Sequence, residues 1–387
     1  MLLKNKQSYD VVVIGGGIVG ASCTLALARS GLRVAVVEKE CWGSGATAAG
    51  MGHLVVLDGS EAEYALSSYS QTLWHALGPK LPAGAEFCSP GTLWVAADTE
   101  EMAEAERKFH YLDDRHLPAK LLTAAQLMAE EPELRAGLAG GLLVPRDSVV
   151  FPPVVVSAML EEAAKLGATL LLGSACTHLG NGEARLADGS TLHASRLVNA
   201  GGAQSTSCMP GLPVKPRKGH LAVTDRYAGF LHHQVVELGY MKSAKQLTAE
   251  SVACNVQPRI TGQILIGSSR QFGQQDAAID HALLGKMLRR CMSYLPGLAK
   301  LQVIRSWTGF RASTPDKLPL IGPDPRDNSL WLATGHEGLG ITTSLATAQL
   351  IDCEITGRAP AIDPAPYLPA RLLDPNTSLL NHQEELL

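Results

Sequence analysis

Residues 11–20, VVVIGGGIVG, decide the fold. The first four are an apolar β-branched run, which predicts a strand buried on both faces of a parallel sheet. The glycines at 15, 17 and 20 then match the pattern GxGxxG in front of a predicted helix over 18–30. A second buried strand over 34–37 ends at Glu38. The order strand, glycine turn, helix and strand predicts a βαβ unit that binds a dinucleotide.

Each glycine of this turn has its own physical role. Gly15 permits the tight turn, Gly17 lets the backbone approach a pyrophosphate, and Gly20 lets the helix pack on the strand. The N-terminus of the helix attracts the anion, and Glu38 is placed to accept hydrogen bonds from ribose hydroxyls. A glycine turn with a structural role alone is the alternative.

Two further glycine-rich stretches favour FAD over NAD. The stretch 43–53, GSGATAAGMGH, has small residues that let the chain pass close to a long ligand, and the hydroxyls of Ser44 and Thr47 can reach phosphate oxygens. A flexible loop is the alternative there. The stretch 335–340, GHEGLG, begins a helix more than 300 residues downstream of the first glycine turn. It would face the far end of the ligand, where an isoalloxazine ring is held but a mobile nicotinamide is not.

Three strand–glycine–helix elements are spread over the chain, near residues 11–20, 197–202 and 330–340. They predict an α/β fold with a discontinuous Rossmann-like FAD-binding domain and an inserted α+β substrate domain on a mixed sheet. The predicted ranges are 1–53, 146–215 and 305–373 for the FAD-binding domain, 54–145 and 216–304 for the substrate domain, and 374–387 for a mobile tail.

Composition excludes several other classes of protein. The 387 residues are 46% hydrophobic and 18% charged, which is enough apolar surface for a real core. A net charge of −4 without a basic stripe argues against a nucleic-acid partner. The short basic run 217–220 is predicted to be a turn at a domain crossing. The uncharged stretch 11–28 carries glycines at its centre, so it predicts no transmembrane segment.

Cysteine and histidine spacing predicts no metal site. The eight cysteines form no CxxC pair, and the histidines lack ligand spacing. Scattered thiols in a chain without a secretory leader predict buried, reduced residues of a cytoplasmic protein.

Four residues are candidates for the substrate site. Arg311 stands just before the turn that leads back to the nucleotide fold, where a guanidinium can hold a substrate carboxylate. An ion pair with Asp316 is the alternative. His53 and His336 lie in the predicted flavin loops, where each either contacts the ring or is a hydrogen-bonded loop residue. Tyr240, on a predicted strand, is either a second pocket residue or a core tyrosine.

Together these motifs resemble the flavin-dependent D-amino-acid oxidase superfamily, which includes glycine oxidase, sarcosine oxidase and D-amino-acid dehydrogenases. The resemblance covers nearly the whole chain and rests on GGGIVG with Glu38, NAGG at 199–202, PRKG at 216–219, GSSR at 267–270 and GFRASTPDKLPLIG at 309–322 with GHEGLG. It implies an FAD-dependent oxidoreductase of CH–NH donors. It also implies that Arg311 clamps the substrate carboxylate and that the backbone of Cys176 meets the adenine.

The stretches GATAAGMGHLVV and DPAPYLPARL look most like the flavoprotein subunits of bacterial D-hydroxyproline dehydrogenases. This resemblance implies hydride transfer from Cα of cis-4-hydroxy-D-proline to flavin N5 in hydroxyproline catabolism, with other subunits as possible partners. An opine- or sarcosine-oxidising β-subunit, an FAD-carrying electron-relay subunit and an FAD-dependent tRNA-modifying protein are the alternatives. No motif for covalent flavin attachment is found, so non-covalent FAD is expected and an additional FMN at a subunit interface is left open.

The residues expected to bind the cofactor come from all these segments. They are Gly15, Gly17, Ile18, Val19, Gly20, Glu38, Lys39, Ser44, Thr47, Ala48, Gly50, Met51, Cys176, Gly201, Gly335, His336, Glu337, Gly338, Leu339, Gly340, Ile341 and Thr342.

Overall fold

A computed structural model describes residues 8–239 and 250–376 of the chain. Its strands, in chain order, are β1 (Ser8–Ile14), β2 (Val34–Glu38), β3 (His53–Leu54), β4 (Thr92–Ala96), β5 (Lys120–Thr123), β6 (Gly140–Val144), β7 (Ser148–Val149), β8 (Thr169–Leu172), β9 (Cys176–Gly180), β10 (Glu183–Leu186), β11 (Thr191–Asn199), β12 (Lys215–Thr224), β13 (Gln234–Glu237), β14 (Glu250–Pro258), β15 (Ile264–Phe272), β16 (Val303–Ser313), β17 (Leu320–Pro323) and β18 (Leu330–Thr334).

The same described residues also form α-helices between the strands. They are α1 (Ile18–Arg29), α2 (Ala46–Ala49), α3 (Glu61–Leu77), α4 (Thr99–Asp113), α5 (Ala124–Glu130), α6 (Pro152–Lys165), α7 (Ser205–Cys208), α8 (His281–Met292) and α9 (Gly340–Thr356).

The first large sheet has the order β17-β18-β11-β1-β2-β8, and the β9–β10 hairpin extends it from β11. The strands β18, β11, β1, β2 and β8 are mutually parallel. Val11 and Val13 pack with α1, α6 and α9 on one face, while Val12 and Ile14 pack toward the hairpin on the other. Burial on both faces explains the unbroken apolar run in β1.

The second large sheet has the order β16-β12-β15-β14-β13-β4-β6-β5 and is antiparallel except where β13 pairs with β4. α8 packs on one face of β14 and β15. The predicted α/β fold class with a mixed second sheet is confirmed. The domain ranges remain a proposal, and β16 pairs along its length with β12, so this sheet continues past residue 304.

The predicted turn at 217–220 is wrong. These residues lie inside β12, and the side chains of Arg217 and Lys218 are buried. The positive charges are accommodated by carboxylates, since Arg217 pairs with Glu337 and the Lys218 amine lies 3.1 Å from the carboxylate of Asp276. A charged run therefore forms a strand here because the tertiary structure supplies its counter-charges.

Three other sequence expectations can be compared with the structure. The cysteines are unpaired, but only four are buried, namely Cys23, Cys208, Cys254 and Cys291. Three are half-buried and Cys41 is exposed. Among the described residues, no helix is long and apolar enough to cross a membrane. Of the predicted mobile tail, residues 377–387 lie outside the described residues.

Candidate active site

Three glycine turns meet at one edge of the first sheet. Because β1, β11 and β18 are neighbouring parallel strands, the turns after their last residues lie side by side. A Cβ on Gly15 would lie 2.6 Å from the carbonyl oxygen of Ala200, and one on Gly20 would lie 1.8 Å from the Gly15 oxygen. Only glycine fits these contacts, which bring the first turn against Gly201 of the second.

Two helices begin near these glycine turns. The residue before α1 is Gly17 and the residue before α9 is Leu339, and neither helix has a side-chain cap or an acidic residue in its first turn. The side chain of Val19 lies 3.7 Å from where a Cβ on Gly340 would stand, so the two helices begin next to each other. Helix N-termini carry partial positive charge, which favours an anionic ligand here.

Glu38 lies at the end of β2 with its carboxylate largely buried. Its Oε2 accepts from the backbone N–H of Gly16 at 2.7 Å, and its Oε1 accepts from that of Glu40 at 2.8 Å. Each oxygen has a further lone pair, so the carboxylate can also accept from a ribose hydroxyl. The neighbouring Lys39 is exposed and lies 3.0 Å from the Glu40 carboxylate.

Cys176 lies near the same strand end. The N–H of Ser174 donates to the Glu38 carbonyl at 3.0 Å, which ties the start of β9 to the end of β2. The half-buried Cys176 thiol donates to the His178 carbonyl at 3.2 Å. The structure therefore places the segment two residues before Cys176 against the end of β2.

The stretch 43–53 is ordered by contacts on both sides, and part of it forms α2. Thr47 Oγ1 accepts from the Ile18 N–H at 3.0 Å, at the first turn of α1. The indole N–H of Trp307 donates to the Ala49 carbonyl at 3.3 Å. The stretch is thus bonded to the first turn of α1 and to β16 of the second sheet.

Other members of this stretch border the second sheet and α9. The side-chain amide of Gln257 donates to the Met51 carbonyl at 2.8 Å. A Cβ on Gly50 would lie 2.7 Å from Cδ1 of Ile341. Ser44 is half-buried and Ala48 is exposed.

Arg311 lies between the second sheet and the turn that precedes α9. β12 and β16 pair so that Gly219 is opposite Gly309, and a Cβ on Gly219 would lie 2.3 Å from the Arg311 Nη1. A Cβ on Gly338 would lie 3.3 Å from the Arg311 Nε. Glycine at both positions gives the guanidinium room to lie against the backbone.

Asp316, the suggested ion-pair partner of Arg311, pairs with a different arginine. Asp316 binds Arg371 instead, with 2.6 Å between Arg371 Nε and Asp316 Oδ2. Arg311 Nη1 donates to the carbonyl of Ser269 at 3.1 Å, which fixes one edge of the guanidinium.

His220 positions Arg311 indirectly, and sequence reasoning missed it. Its Nε2 accepts from the backbone N–H of Asp280 at 3.0 Å, so the proton of the neutral ring is on Nδ1. Nδ1 donates to Ser269 Oγ at 2.9 Å. Burial, with the nearby charge of Lys218, lowers the pKa of His220. The run RKGH gave no signal of this role, since the role depends on β12 being a strand.

His53 is half-buried beside the start of α9. Its Nε2 lies 2.7 Å from Thr92 Oγ1, and its carbonyl accepts from Thr342 Oγ1 at 2.8 Å. Burial lowers the pKa of His53 to about 3, so the ring is neutral at pH 7.

His336 packs against α9. Its Nε2 lies 3.0 Å from Thr347 Oγ1, and burial lowers its pKa to about 4. Gly335, which precedes it, has a φ of 78°, and the next residue, Glu337, has a φ of 55° and pairs with Arg217. The remaining candidate, Tyr240, lies outside the described residues.

These residues fit FAD, the cofactor that the glycine pattern predicts. The first turn of α1, which has no acidic residue, fits a pyrophosphate, and Glu38 fits a ribose. Gln257 Oε1 is buried beside Met51 without a hydrogen-bond partner within the described parts of the chain, 8–239 and 250–376. Such an orphaned acceptor is expected where a polar ligand completes a site.

Known proteins share both this sequence pattern and this fold. A glycine oxidase of Geobacillus kaustophilus is 28% identical over 378 residues, covering 93% of this chain and 96% of that protein. The hydrogen cyanide synthase subunit HcnC of Pseudomonas aeruginosa is 27% identical over 417 residues, covering 94% and 96%. The crystal structure of glycine oxidase from G. kaustophilus superposes with a TM-score of 0.85 at 27% identity, covering 95% of this chain and 100% of that one.

A family model described as DAO, FAD dependent oxidoreductase, matches residues 10–352. The match confirms the predicted enzyme class and FAD as its cofactor. This chain belongs to the DAO family of FAD-dependent oxidoreductases.

Proposed function

We propose that this enzyme oxidises a cyclic secondary amino acid at its Cα–N bond, with cis-4-hydroxy-D-proline as the expected substrate and the cyclic imine as product. The placement of Arg311, whose guanidinium lies over Gly219 and beside Gly338, carries the amino-acid part of the proposal. A guanidinium at this position binds a substrate carboxylate in two-point fashion. The cyclic amine is inferred from the resemblance of GATAAGMGHLVV and DPAPYLPARL to D-hydroxyproline dehydrogenase subunits. Similarity to curated glycine oxidases supports an amino acid as substrate.

The residues of this chain act by binding and orientation. Arg311 holds the carboxylate, and the amine enters as the neutral form, whose lone pair assists loss of hydride from Cα. FAD supplies the chemistry when bound, by accepting that hydride at N5. Burial keeps His53 and His336 neutral at pH 7, so neither adds a positive charge to this part of the protein. Orientation of this kind lowers the barrier by holding the reacting atoms together.

We propose that the cofactor-binding residues predicted from the sequence hold FAD without a covalent bond. The first turn of α1 with Thr47 binds the pyrophosphate, Glu38 binds the ribose, and the backbone at Cys176 lies by the adenine. The start of α9 and Met51 would hold the flavin end of the cofactor.

A dye-linked assay tests the substrate class. The purified, FAD-loaded chain is mixed with an artificial electron acceptor and with cis-4-hydroxy-D-proline, D-proline, sarcosine, glycine or an opine. We expect the highest kcat/KM with the hydroxyproline. A higher value with glycine or the opine would keep the enzyme class and overturn the substrate.

Similarity to HcnC, a subunit by its name, favours a second candidate, in which this chain works only within a hetero-oligomer. The edge strand β16 also leaves Val303 and Ile304 about half exposed, at 44% and 56%. In that case the isolated FAD-loaded chain would reduce no dye with any of the amines. The complex isolated from its source would then be active, and its FMN content would show whether a second flavin is bound.

A further inference from the structure

Two side-chain amides of the second sheet form an incompletely satisfied pair. Gln234 of β13 donates from Nε2 to Oδ1 of Asn255 in β14 at 2.8 Å. Gln234 is completely buried, yet its Oε1 has no hydrogen-bond partner within residues 8–239 and 250–376. Asn255 is half-buried, and its Nδ2 donates no hydrogen bond to any residue of the same two ranges. The pair therefore holds one unused donor and one unused acceptor, as expected where a polar ligand completes a site.

Asn255 lies on the face of the second sheet that is turned toward the proposed flavin segment. It is the cross-strand partner of Gly267 in β15, and directly opposed residues of an antiparallel pair point to the same face. A Cβ on Gly267 would lie 3.4 Å from Sδ of Met51 and 2.6 Å from Cδ2 of Leu221. Asn255, Met51 and Leu221 therefore border one cleft.

Arg311 lies on that same face, at a distance that suits a small ligand. Gly219, which lies beneath its guanidinium, and Leu221 are two positions apart in β12, so they face the same way. Two strand spacings and two residues along a strand separate Gly219 from Asn255, which puts their backbones about 12 Å apart. A five-membered ring with a carboxylate and a hydroxyl fills this span together with the Asn255 side chain and two hydrogen bonds of about 2.9 Å.

A hydroxyl is the group that best satisfies the amide pair. It accepts from Asn255 Nδ2 and donates to Gln234 Oε1 at the same time, whereas an ammonium only donates and a carboxylate only accepts. The match holds for either orientation of the two amides, because a hydroxyl can exchange the two roles.

We propose that Asn255, positioned by Gln234, is a specificity-determining residue that binds the ring hydroxyl of the substrate. The inference rests on the proposed function, which places a cyclic amino acid in this cleft. A site built to hydrogen-bond a substrate hydroxyl rejects the analogue that lacks it, because the polar groups of the site are then left unpaired.

Two unreactive ligands test this inference without turnover. Cyclopentanecarboxylate and cis-3-hydroxycyclopentane-1-carboxylate, in the configuration of cis-4-hydroxy-D-proline, carry a methylene group where the substrate has its nitrogen. They lack the lone pair that assists hydride loss, and they differ only in the hydroxyl. Their dissociation constants are measured on the FAD-loaded enzyme by calorimetry and by the change in the flavin spectrum. The wild type is expected to bind the hydroxy acid at least five times more tightly, and a smaller preference would overturn the proposal.

Two variants locate the cause of the preference. Asn255→Leu is expected to reduce it below twofold, and Gln234→Met to reduce it at least twofold, while the affinity for cyclopentanecarboxylate changes less than threefold. An undiminished preference in Asn255→Leu would overturn the proposal, and so would an equal loss of affinity for both acids, which indicates a packing role. Gln302→Met, at an exposed position just before β16, is the matched control and should keep the wild-type preference.

Arg311→Ala separates this inference from the proposed function. If Arg311→Ala weakens the binding of both acids while the wild type shows no preference between them, the clamp stands and only the hydroxyl site fails. If neither acid binds the FAD-loaded wild type, the proposed function fails and this inference fails with it.

Discussion

Arg311 carries most of the proposed chemistry at the scale of single residues. Its place just before a turn into the nucleotide fold was predictable from sequence order, but its contacts with Gly219, Gly338 and Ser269 depend on strand register. The same holds for Arg217, whose partner Glu337 lies 120 positions later and is brought to it only by the folded turn. Motif reasoning suggests Arg311 as the clamp, and only the tertiary structure shows what surrounds this residue.

The first prediction concerns the loss of the clamp. Arg311→Ala should lower kcat/KM for the best amino-acid substrate by about ten- to a hundredfold, since hydrogen bonds to a charged group are worth roughly 1.5–3 kcal/mol. Steady-state kinetics of the FAD-loaded enzyme measure the effect. Arg185→Ala, which removes the same charge from the exposed β10, is the control and should leave kcat/KM within twofold. A loss below twofold in Arg311→Ala would mean that the carboxylate binds elsewhere.

A second prediction concerns His220, a positioning residue. His220→Ala removes the ring whose Nδ1 donates to Ser269 Oγ, and one neutral hydrogen bond is worth roughly 0.5–1.5 kcal/mol, so KM should rise about two- to tenfold while kcat changes less. His220→Asn places an amide donor near the position of Nδ1 and should recover KM, whereas His220→Gln should not. Equal KM values in Asn and Gln variants of equal thermal stability would show that His220 acts only through packing.

At the scale of secondary-structure elements, sequence patterns predicted the apolar parallel strands. They missed strands that carry polar and charged residues. The apolar runs of β1 and β2 are buried on both faces, so hydrophobicity alone identified them. β12 carries the basic run 217–220, which the sequence suggested was a turn. Strand pairing and buried counter-charges override the local preference there, and neither can be read from the run itself.

A third prediction concerns the buried carboxyl of Asp147, which joins several elements. Its Oδ1 accepts from Gln71 of α3 at 3.0 Å and from the N–H of Val56 at 3.4 Å. Burial raises its pKa to about 7. Because the folded protein favours the protonated form, Asp147 contributes stability that is complete below about pH 4 and is lost as pH rises to 7.

Asp147→Asn keeps the shape and removes this titration. The free energy of unfolding of the wild type should therefore fall relative to the variant by up to about 1.4 kcal/mol per pH unit between pH 5 and 7, and then level off. Urea denaturation of both proteins at pH 5, 6, 7 and 8 measures the difference. Asp113→Asn, at the exposed end of α4, is the control and should show no such slope. A difference between Asp147→Asn and wild type that is independent of pH contradicts this account of Asp147.

In the whole molecule, segments that are far apart in sequence come together to form one site. Residues 15, 201 and 335 are far apart in sequence but meet because β1, β11 and β18 are neighbours. Repetition of the strand–glycine–helix pattern was enough to predict that assembly. The second sheet could be predicted only as a mixed sheet, since its strand order and the continuation of β16 into it come from long-range pairing.

A fourth prediction concerns the effect of FAD on the stability of the apoprotein. Because FAD binds the folded chain, adding it at 100 times its dissociation constant should stabilise the apoprotein by about 2.7 kcal/mol. Thermal unfolding followed by circular dichroism measures this as a higher midpoint. Riboflavin, which lacks the pyrophosphate and adenosine, should give a much smaller shift at the same concentration. Equal shifts from both ligands would contradict the assignment of α1 and Glu38 to the dinucleotide half.

The most direct test of the central claim is an anaerobic titration of the yellow, FAD-loaded protein with cis-4-hydroxy-D-proline, with the flavin absorbance as the readout. Sarcosine, D-proline, D-alanine and an opine are titrated in the same way. The account predicts rapid bleaching by the hydroxyproline in the wild type and much slower bleaching in Arg311→Ala at the same concentration. Full flavin occupancy with no bleaching by any of these amines would contradict the claim that this chain by itself oxidises a cyclic amino acid.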